Sequence, residues 1–203
     1  MVTDKPTPLG RVKLNNVRLA FPHLLEAESS TEDSKPKFSA EFLMEPGTSH
    51  GDKNIAACEK AIIEVKKAEW GDKWDKVKIK DDRICFRDGS EVTNQEGEPY
   101  AGFDGMMALK TGRPERQKRP KLKSRSRQDL TDSEAADLLY GGAYVNAIVT
   151  FYAISDLKRG GNGVFCIVEG VQFFEHGEPF GNAGISDDEF DEYEDDDGGD
   201  FID

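Results

Sequence analysis

Two apolar segments in the last third of the chain decide the fold: YVNAIVTFYAIS at positions 144–155 and GVFCIVEGVQFF at positions 163–174. Apolar residues alternate along both, and a period of two predicts β-strands. The glycine-rich sequence RGGNG at 159–163 lies between them, so the two strands are predicted to form a β-hairpin. Gly170 inside the second strand predicts a bulge or a sharp bend.

The upstream sequence predicts further strands. Residues 9–21 alternate in the same way, with a bend expected at Asn15 and Asn16 and an end at Pro22. Residues 37–44 alternate too and should pair with that first strand through a long loop. Less regular patterns predict short pieces at 77–86 and a bulged, glycine-containing strand at 100–110.

Two segments have the signature of helices. In residues 52–70 apolar side chains recur at helical spacing, and Gly71 is placed to end the helix. Trp70 and Trp74, on either side of Gly71, are predicted to form a hydrophobic plug where the chain returns to the sheet. Thr131 and Glu134 form a capping box that predicts a short second helix.

The order of these elements shows no βαβ alternation, which argues against a parallel sheet. We therefore predict a mainly β fold, an OB-fold-like coiled barrel of five to six antiparallel strands with one longer and one short helix. This domain should occupy residues 1–184, with Phe151, Phe165 and Phe173 in its core.

Charge is strongly segregated along the chain. The 203 residues carry a formal net charge of −13. Residues 185–203, here called the acidic tail, read ISDDEFDEYEDDDGGDFID, with eleven carboxylates and no Lys or Arg. Such a density of like charge predicts disorder. The aromatic residues within it, together with Phe201 and Ile202, predict a segment that a partner protein can bind.

The opposite charge is concentrated in residues 110–127, here called the basic segment. It has nine basic residues and one acid, Glu115, a local charge of +8. Pro114 and Pro120 exclude a regular helix, so an extended, mobile arm is predicted. A loop of this charge needs a polyanion nearby, and we predict that its cations contact phosphates: Lys110, Arg113, Arg116, Lys118, Arg119, Lys121, Lys123, Arg125 and Arg127.

Other classes of site find little support. Cys58, Cys85 and Cys166 are odd in number, with no C-x-x-C motif, so reduced thiols in or near the core are expected rather than disulfides. They form no ligand-spaced set with the three histidines, and neither a metal nor a cofactor is predicted. No apolar run approaches 18 residues, so a soluble, intracellular protein is expected.

Three sequence blocks carry a family resemblance: YAGFDGMMALKTGRP at 100–114, YGGAYVNAIVTFYA at 140–153 and GNGVFCIVEGVQFF at 161–174. Together they resemble a family of phage single-stranded-DNA-binding proteins with an OB-fold core, over residues 9–181. The resemblance implies DNA replication, recombination or repair in the cytoplasm of the infected bacterial host.

The acidic tail adds to this resemblance, since bacterial and phage single-strand binders typically end in an acidic tail with an aromatic residue near its end. Here the last residue is Asp203, not an aromatic. Because the charge and spacing of the tail are similar to those of a single nucleic-acid strand, we predict that it competes with DNA for a basic groove. Once displaced, it should recruit host or phage replication and recombination proteins. The residues predicted to bind those partners are Asp195, Asp196, Asp197, Asp200, Phe201, Ile202 and Asp203.

A binder without sequence preference needs cations that follow the phosphates and flat side chains on which bases stack. The basic segment supplies the cations. For stacking we predict Tyr100 and Phe103 beside that segment, and also Tyr144 and Tyr152. Self-association is left open.

Two alternatives remain. Asp156 and Lys158 after a strand could belong to a metal-dependent nuclease, but no paired carboxylate is identifiable, so a non-enzymatic protein is favoured. An acidic interaction hub or DNA mimic, binding basic partners and never DNA, fits the acidic tail. It does not explain the basic segment, which is the feature that separates the two interpretations.

Overall fold

The computed structural model describes residues 7–29, 34–155 and 160–181. Its centre is one seven-stranded sheet, with strand order β3-β4-β2-β1-β6-β7-β5. The strands are β1 Arg11–Glu28, β2 Lys37–Met44, β3 Phe86–Asp88, β4 Met107–Pro114, β5 Lys121–Lys123, β6 Tyr144–Ile154 and β7 Gly163–Glu175, and the α-helices are α1 Ser49–Trp70 and α2 Asp132–Leu138.

The predicted fold class is confirmed: the chain is mainly β, with one long and one short helix. The strand count of five to six was wrong, because seven are present. The two extra strands, β3 and β5, have three residues each, too few to show a period of two. The all-antiparallel arrangement was also wrong at one edge, since β5 pairs with β7 in parallel.

The hairpin of β6 and β7 organises the core as predicted. One face of β6 is buried, with Val145, Val149 and Phe151 at 0–1% exposure. A register shift places Ile148 opposite Gly170 but Val149 opposite Val168. Glu169 is therefore the extra residue of a bulge, beside the glycine that predicted one.

Strand β1 is longer than predicted. The bend at Asn16 is confirmed by a φ of 52° and a register shift against β6. Pro22 does not end the strand. Phe21 has a φ of 46°, and the ladder with β2 shifts between Ala20 and His23. This bulge takes Pro22, which has no N–H to donate, out of the regular pairing.

The helices form as predicted. In α1, Cys58, Ala61 and Val65 face the core, and Gly71 ends the helix with a φ of 56°. Trp70 packs on that core and donates from Nε1 to Ser155 Oγ at 2.7 Å, which agrees with the predicted plug. Helix α2 begins with the complete capping box of Thr131 and Glu134.

Residues 101–106 form turns and a bend rather than the predicted strand, and β4 begins only at Met107. Gly102 and Gly105 have φ values of 80° and 72°, in the left-handed region that breaks an extended chain. A Cβ atom at Gly102 would also overlap the ring of Phe180. The two glycines thus specify turns and not a coiled strand.

The sheet curls until β4 approaches β7, and a short segment bridges them. Cys85 donates its N–H to the carbonyl of Val164 at 3.0 Å, and Lys110 donates to the carbonyl of Cys85 at 2.8 Å. Beyond this bridge only side-chain contacts join β4 to β7, such as the pairing of Arg113 with Glu169. We call the gap between them the seam.

The three cysteines are free and buried, as expected. Burial raises the pKa of Cys58 to about 12 and raises the pKa values of Cys85 and Cys166 as well. These thiols are therefore protonated, inert core residues at neutral pH.

Candidate nucleic-acid interface

A groove of about 660 Å³ opens at the seam. Its charged lining comprises Lys35, Lys37, Lys110 and Arg116 against Asp82 and Glu115, which is a formal charge of +2. The whole protein carries −13, so this groove is a local reversal of sign. Low-dielectric walls concentrate such a field and favour an anionic ligand.

One wall of the groove is aromatic. Tyr152 and Phe165 both line it, with ring centroids 5.8 Å apart and planes tilted by 34°. Arg83 extends this stack, with its guanidinium carbon 5.1 Å from the centroid of Phe165. Tyr152 is 38% exposed, so part of its ring is open to a ligand. Burial raises the pKa of its hydroxyl, which therefore remains a neutral hydrogen-bond donor at neutral pH.

Phe165 was assigned to the core, and that prediction was wrong. It lies on the outward side of β7 and is only half-buried, whereas its neighbours Val164 and Cys166 point inward. Phe151 and Phe173, which carried the same prediction, are buried at 1% and 9% exposure.

The basic segment is built into the fold and is not the predicted arm. Its first residues end β4, its middle forms a single 3₁₀ turn at Glu115–Gln117, and β5 pairs with β7. Of its nine cations, Lys110 and Arg116 line the groove. Three are paired with carboxylates: Arg113 with Glu169, Arg119 with Asp132, and Lys123 with Asp129.

The remaining four cations of the segment lie outside the groove lining. Lys118, Lys121, Arg125 and Arg127 are exposed. Arg125 lies over the ring of Phe174 at 5.2 Å. The structure therefore spreads the nine cations over the groove, the seam and the outer surface.

The four predicted stacking residues fall in three places. Tyr152 is in the groove. Tyr144 is eight residues away on the same strand, roughly 26 Å at about 3.3 Å per residue, beneath the guanidinium of Arg18 at 5.3 Å. Tyr100 and Phe103 lie together elsewhere, with centroids 6.0 Å apart.

Phe103 disagrees with its prediction as a stacking platform, because it is 1% exposed within a small second core. Tyr100 remains accessible at 38% and meets Phe21 edge to face at 4.9 Å. Tyr100 and Phe103 both border an apolar pocket of about 270 Å³ that Phe180 also lines. Phe180 is fixed there by Arg18, whose guanidinium lies 4.4 Å from its ring.

A cluster of charges around one buried carboxylate lies beside the groove. Glu41 on β2 is opposite Lys110 on β4 and is 8% exposed. Burial raises its pKa, while Lys110, Arg87 and Lys37 pull that pKa the other way. Lys37 has a lowered pKa because of its own burial and the nearby charge of Lys110.

Sequence reasoning missed three residues of the groove lining, Lys35, Lys37 and Phe165, and also Arg83, which lies over the ring of Phe165. The two lysines flank Pro36 just before β2, outside the basic segment on which attention centred. The pairing of β2 with β4, which places Lys37 opposite Pro114, brings them to the same groove as Lys110 and Arg116. Phe165 could have been found by the period of two, which places it out of phase with the core residues of β7.

Several predictions lie outside the described residues: the acidic tail with its partner-binding residues, and the Asp156–Lys158 nuclease candidate. In the described ranges no group of three or more His, Cys, Asp or Glu could hold a metal ion. Nor does any helix there have the length and apolarity to cross a membrane.

A half-closed β-barrel with an electropositive groove and an aromatic wall is an architecture typical of nucleic-acid-binding proteins. The family model of the Enterobacter phage Enc34 single-stranded-DNA-binding protein matches residues 10–202. The chain belongs to this family. Members of the family are single-stranded-DNA-binding proteins, which are not enzymes.

One relative agrees with this assignment, and two solved structures share the fold. Protein p50 of Acyrthosiphon pisum secondary endosymbiont phage 1 is 32% identical over 188 residues, covering 90% of this chain and 93% of the relative. The fold is similar to that of the bacteriophage Enc34 single-stranded-DNA-binding protein in complex with single-stranded DNA, with a TM-score of 0.68, 22% identity and coverage of 85% and 90%. It is also similar to gp2.5, a single-stranded-DNA-binding protein of bacteriophage T7, with a TM-score of 0.55, 9% identity and coverage of 93% and 97%.

Proposed function

We propose that this chain binds single-stranded DNA without sequence preference and serves phage DNA replication, recombination or repair in the cytoplasm of the infected host. Family membership supports single-stranded DNA as the ligand, and the groove supports the proposed mode of binding. The observation that carries the proposal is the combination of four cations with Tyr152 and Phe165 in one groove. Cations that follow the backbone and rings that stack bases are what sequence-neutral binding requires.

The residues of the site have distinct proposed roles. Lys35, Lys37, Lys110 and Arg116 would hold phosphates, and Tyr152 with Phe165 would stack bases. Tyr100 is a second stacking candidate at the apolar pocket. The exposed cations outside the groove lining would extend the path of the strand over the surface: Lys118, Lys121, Arg125 and Arg127. Arg113, Arg119, Lys123, Phe103 and Tyr144 are already committed to contacts within the protein and are weaker candidates.

The acidic tail, residues 185–203, is proposed as a separate segment after the binding domain. Its eleven carboxylates suit the same cations that a DNA strand would use. We propose that it occupies the groove in the absence of DNA. Once displaced, Phe201 and Ile202 would recruit host or phage replication and recombination proteins.

Fluorescence anisotropy with a labelled oligo-dT of about 30 nucleotides tests both proposals. We would compare residues 1–203 with residues 1–185 at low and high salt. Both forms should bind, with affinity falling steeply as salt rises because counterions are released from the phosphates. The shorter form should bind more tightly at low salt.

The outcomes separate the competing interpretations. Equal affinities for the two forms would exclude competition by the tail and leave DNA binding in place. Absence of binding by either form at low salt would exclude DNA binding and favour the acidic hub. Charge reversal at Lys110 and Arg116 should abolish DNA binding, whereas an acidic hub would retain its basic partners.

A further inference from the structure

The charge cluster beside the groove contains the carboxylate of Glu41, whose burial is not balanced by a matching ion pair. Glu41 is 8% exposed, and its Oε2 atom is buried without a hydrogen-bond partner. In the described part of the chain, the salt bridges within 4.0 Å do not include Glu41. An unpaired buried carboxylate destabilises a fold, so its presence next to a ligand groove suggests a role in the groove.

Three cations surround this carboxylate from three strands. Lys37 lies on the same strand, Lys110 is directly opposite on β4, and Arg87 lies on β3. Lys37 and Lys110 both line the groove. The Nε atom of Arg87 is also buried without a partner. Glu41 thus lies within electrostatic range of two lysines proposed to hold phosphate, and salt-bridges neither.

This arrangement opposes the binding of a phosphate. A carboxylate close to Lys37 and Lys110 cancels part of their positive potential and repels a second anion in a poorly solvated region. Protonated Glu41 would neither cancel the potential of the two lysines nor repel the phosphate. Burial already favours the neutral form of Glu41, and a phosphate nearby would favour it further.

We propose that Glu41 sets the affinity of the groove for single-stranded DNA: ionised, it weakens phosphate binding at Lys37 and Lys110, and it takes up a proton from solvent when the strand binds. The inference rests on the proposed function, since it concerns the same groove. It makes DNA affinity depend on pH in a stated direction. Affinity should rise as pH falls through the raised pKa of Glu41.

Binding of the labelled oligo-dT by the full chain tests this at several pH values. Glu41→Gln removes the charge at nearly constant volume. It should bind about fivefold more tightly than wild type at about pH 8, and its affinity should change less with pH. Glu115→Gln is the matched control because Glu115 also lines the groove but is exposed. Its affinity should keep the pH dependence of wild type.

A measurement on the wild-type protein covers the case in which Glu41→Gln does not fold. Calorimetric titration in two buffers of different ionisation enthalpy counts the protons taken up on binding. Net proton uptake is expected at a pH within the range over which the affinity changes. The proposal is overturned if wild type binds DNA without taking up protons, or if Glu41→Gln matches wild type in affinity and pH dependence. If wild type does not bind DNA at all, the proposed function itself fails, which is a separate result.

Discussion

The guanidinium of Arg113 and the carboxylate of Glu169 lie 2.6 Å apart across the seam between β4 and β7. Glu169 can reach this position because it is the extra residue of the β7 bulge. Arg113 also donates to the carbonyl oxygens of Gln117 at 3.0 Å and Lys118 at 2.8 Å. One side chain therefore ties the seam to the turn that follows β4.

We therefore expect Arg113→Ala to lower the free energy of unfolding by about 2 kcal/mol, because a charged, multiply bonded group and its partly buried partner are lost. Urea unfolding measures the change. Arg116→Ala, an exposed neighbour, should alter stability by less than about 0.5 kcal/mol. Unchanged stability of Arg113→Ala together with a reduced salt dependence of DNA binding would instead assign Arg113 to phosphate contact.

The aromatic wall should contribute to affinity. Tyr152→Ala is expected to weaken oligo-dT binding roughly tenfold, the effect of losing one stacked base. Tyr152→Phe should bind like wild type, because the ring is retained. Ile148→Ala is the control, since Ile148 has similar exposure on the same face of β6 but does not line the groove. An equal loss in the Ile148 variant would show that the effect is not stacking.

The groove cations should determine the salt dependence. Lys110→Ala is expected to reduce the slope of log affinity against log salt by about 0.7, the value for one phosphate contact on a single strand. Lys53→Ala, an exposed change on α1, should leave the slope unchanged. Anisotropy titrations over a range of salt concentrations give both slopes. Identical slopes for wild type and Lys110→Ala would remove Lys110 from the phosphate path.

Glu41 should also affect stability. Its pKa in the folded protein is raised by burial, so its ionisation disfavours the folded state. The free energy of unfolding is therefore highest below the pKa that Glu41 has in the unfolded chain. It falls as pH rises through the pKa that Glu41 has in the folded protein. Glu41→Gln should accordingly gain stability relative to wild type at about pH 8 and lose that advantage towards pH 4. Urea unfolding across this range would contradict the assignment if the difference stayed constant.

The cysteines provide a check on the core. All three thiols are buried, and burial raises their pKa values. A thiol reagent at about pH 8 should leave the folded protein unmodified. It should label all three cysteines of the chain after denaturation. Rapid labelling of the native protein would show that the core opens locally at the segment that carries the reactive cysteine.

Local chemistry made several elements predictable. The capping box at Thr131, the helix stop at Gly71 and the bulge beside Gly170 each depend on neighbours within a few residues, and all three are present. Pro22 and Gly102 were misread for a complementary reason. A bulge allowed the strand to pass the proline, and turns replaced the strand expected around the glycine, because pairing and packing with distant segments decided both.

By itself, the sequence determined the mainly β fold, the two helices, the buried thiols and the contrast between an acidic tail and a basic segment, because periodicity, capping and charge act over short separations. Only the tertiary structure decided which cations form a groove. Lys37 and Lys110 lie 73 positions apart and meet because β2 and β4 are neighbours, while Arg113, within the same basic segment as Lys110, is consumed by an ion pair across the seam. Strand pairing is a long-range property, so the number of charges in a segment does not predict which of them reach a ligand.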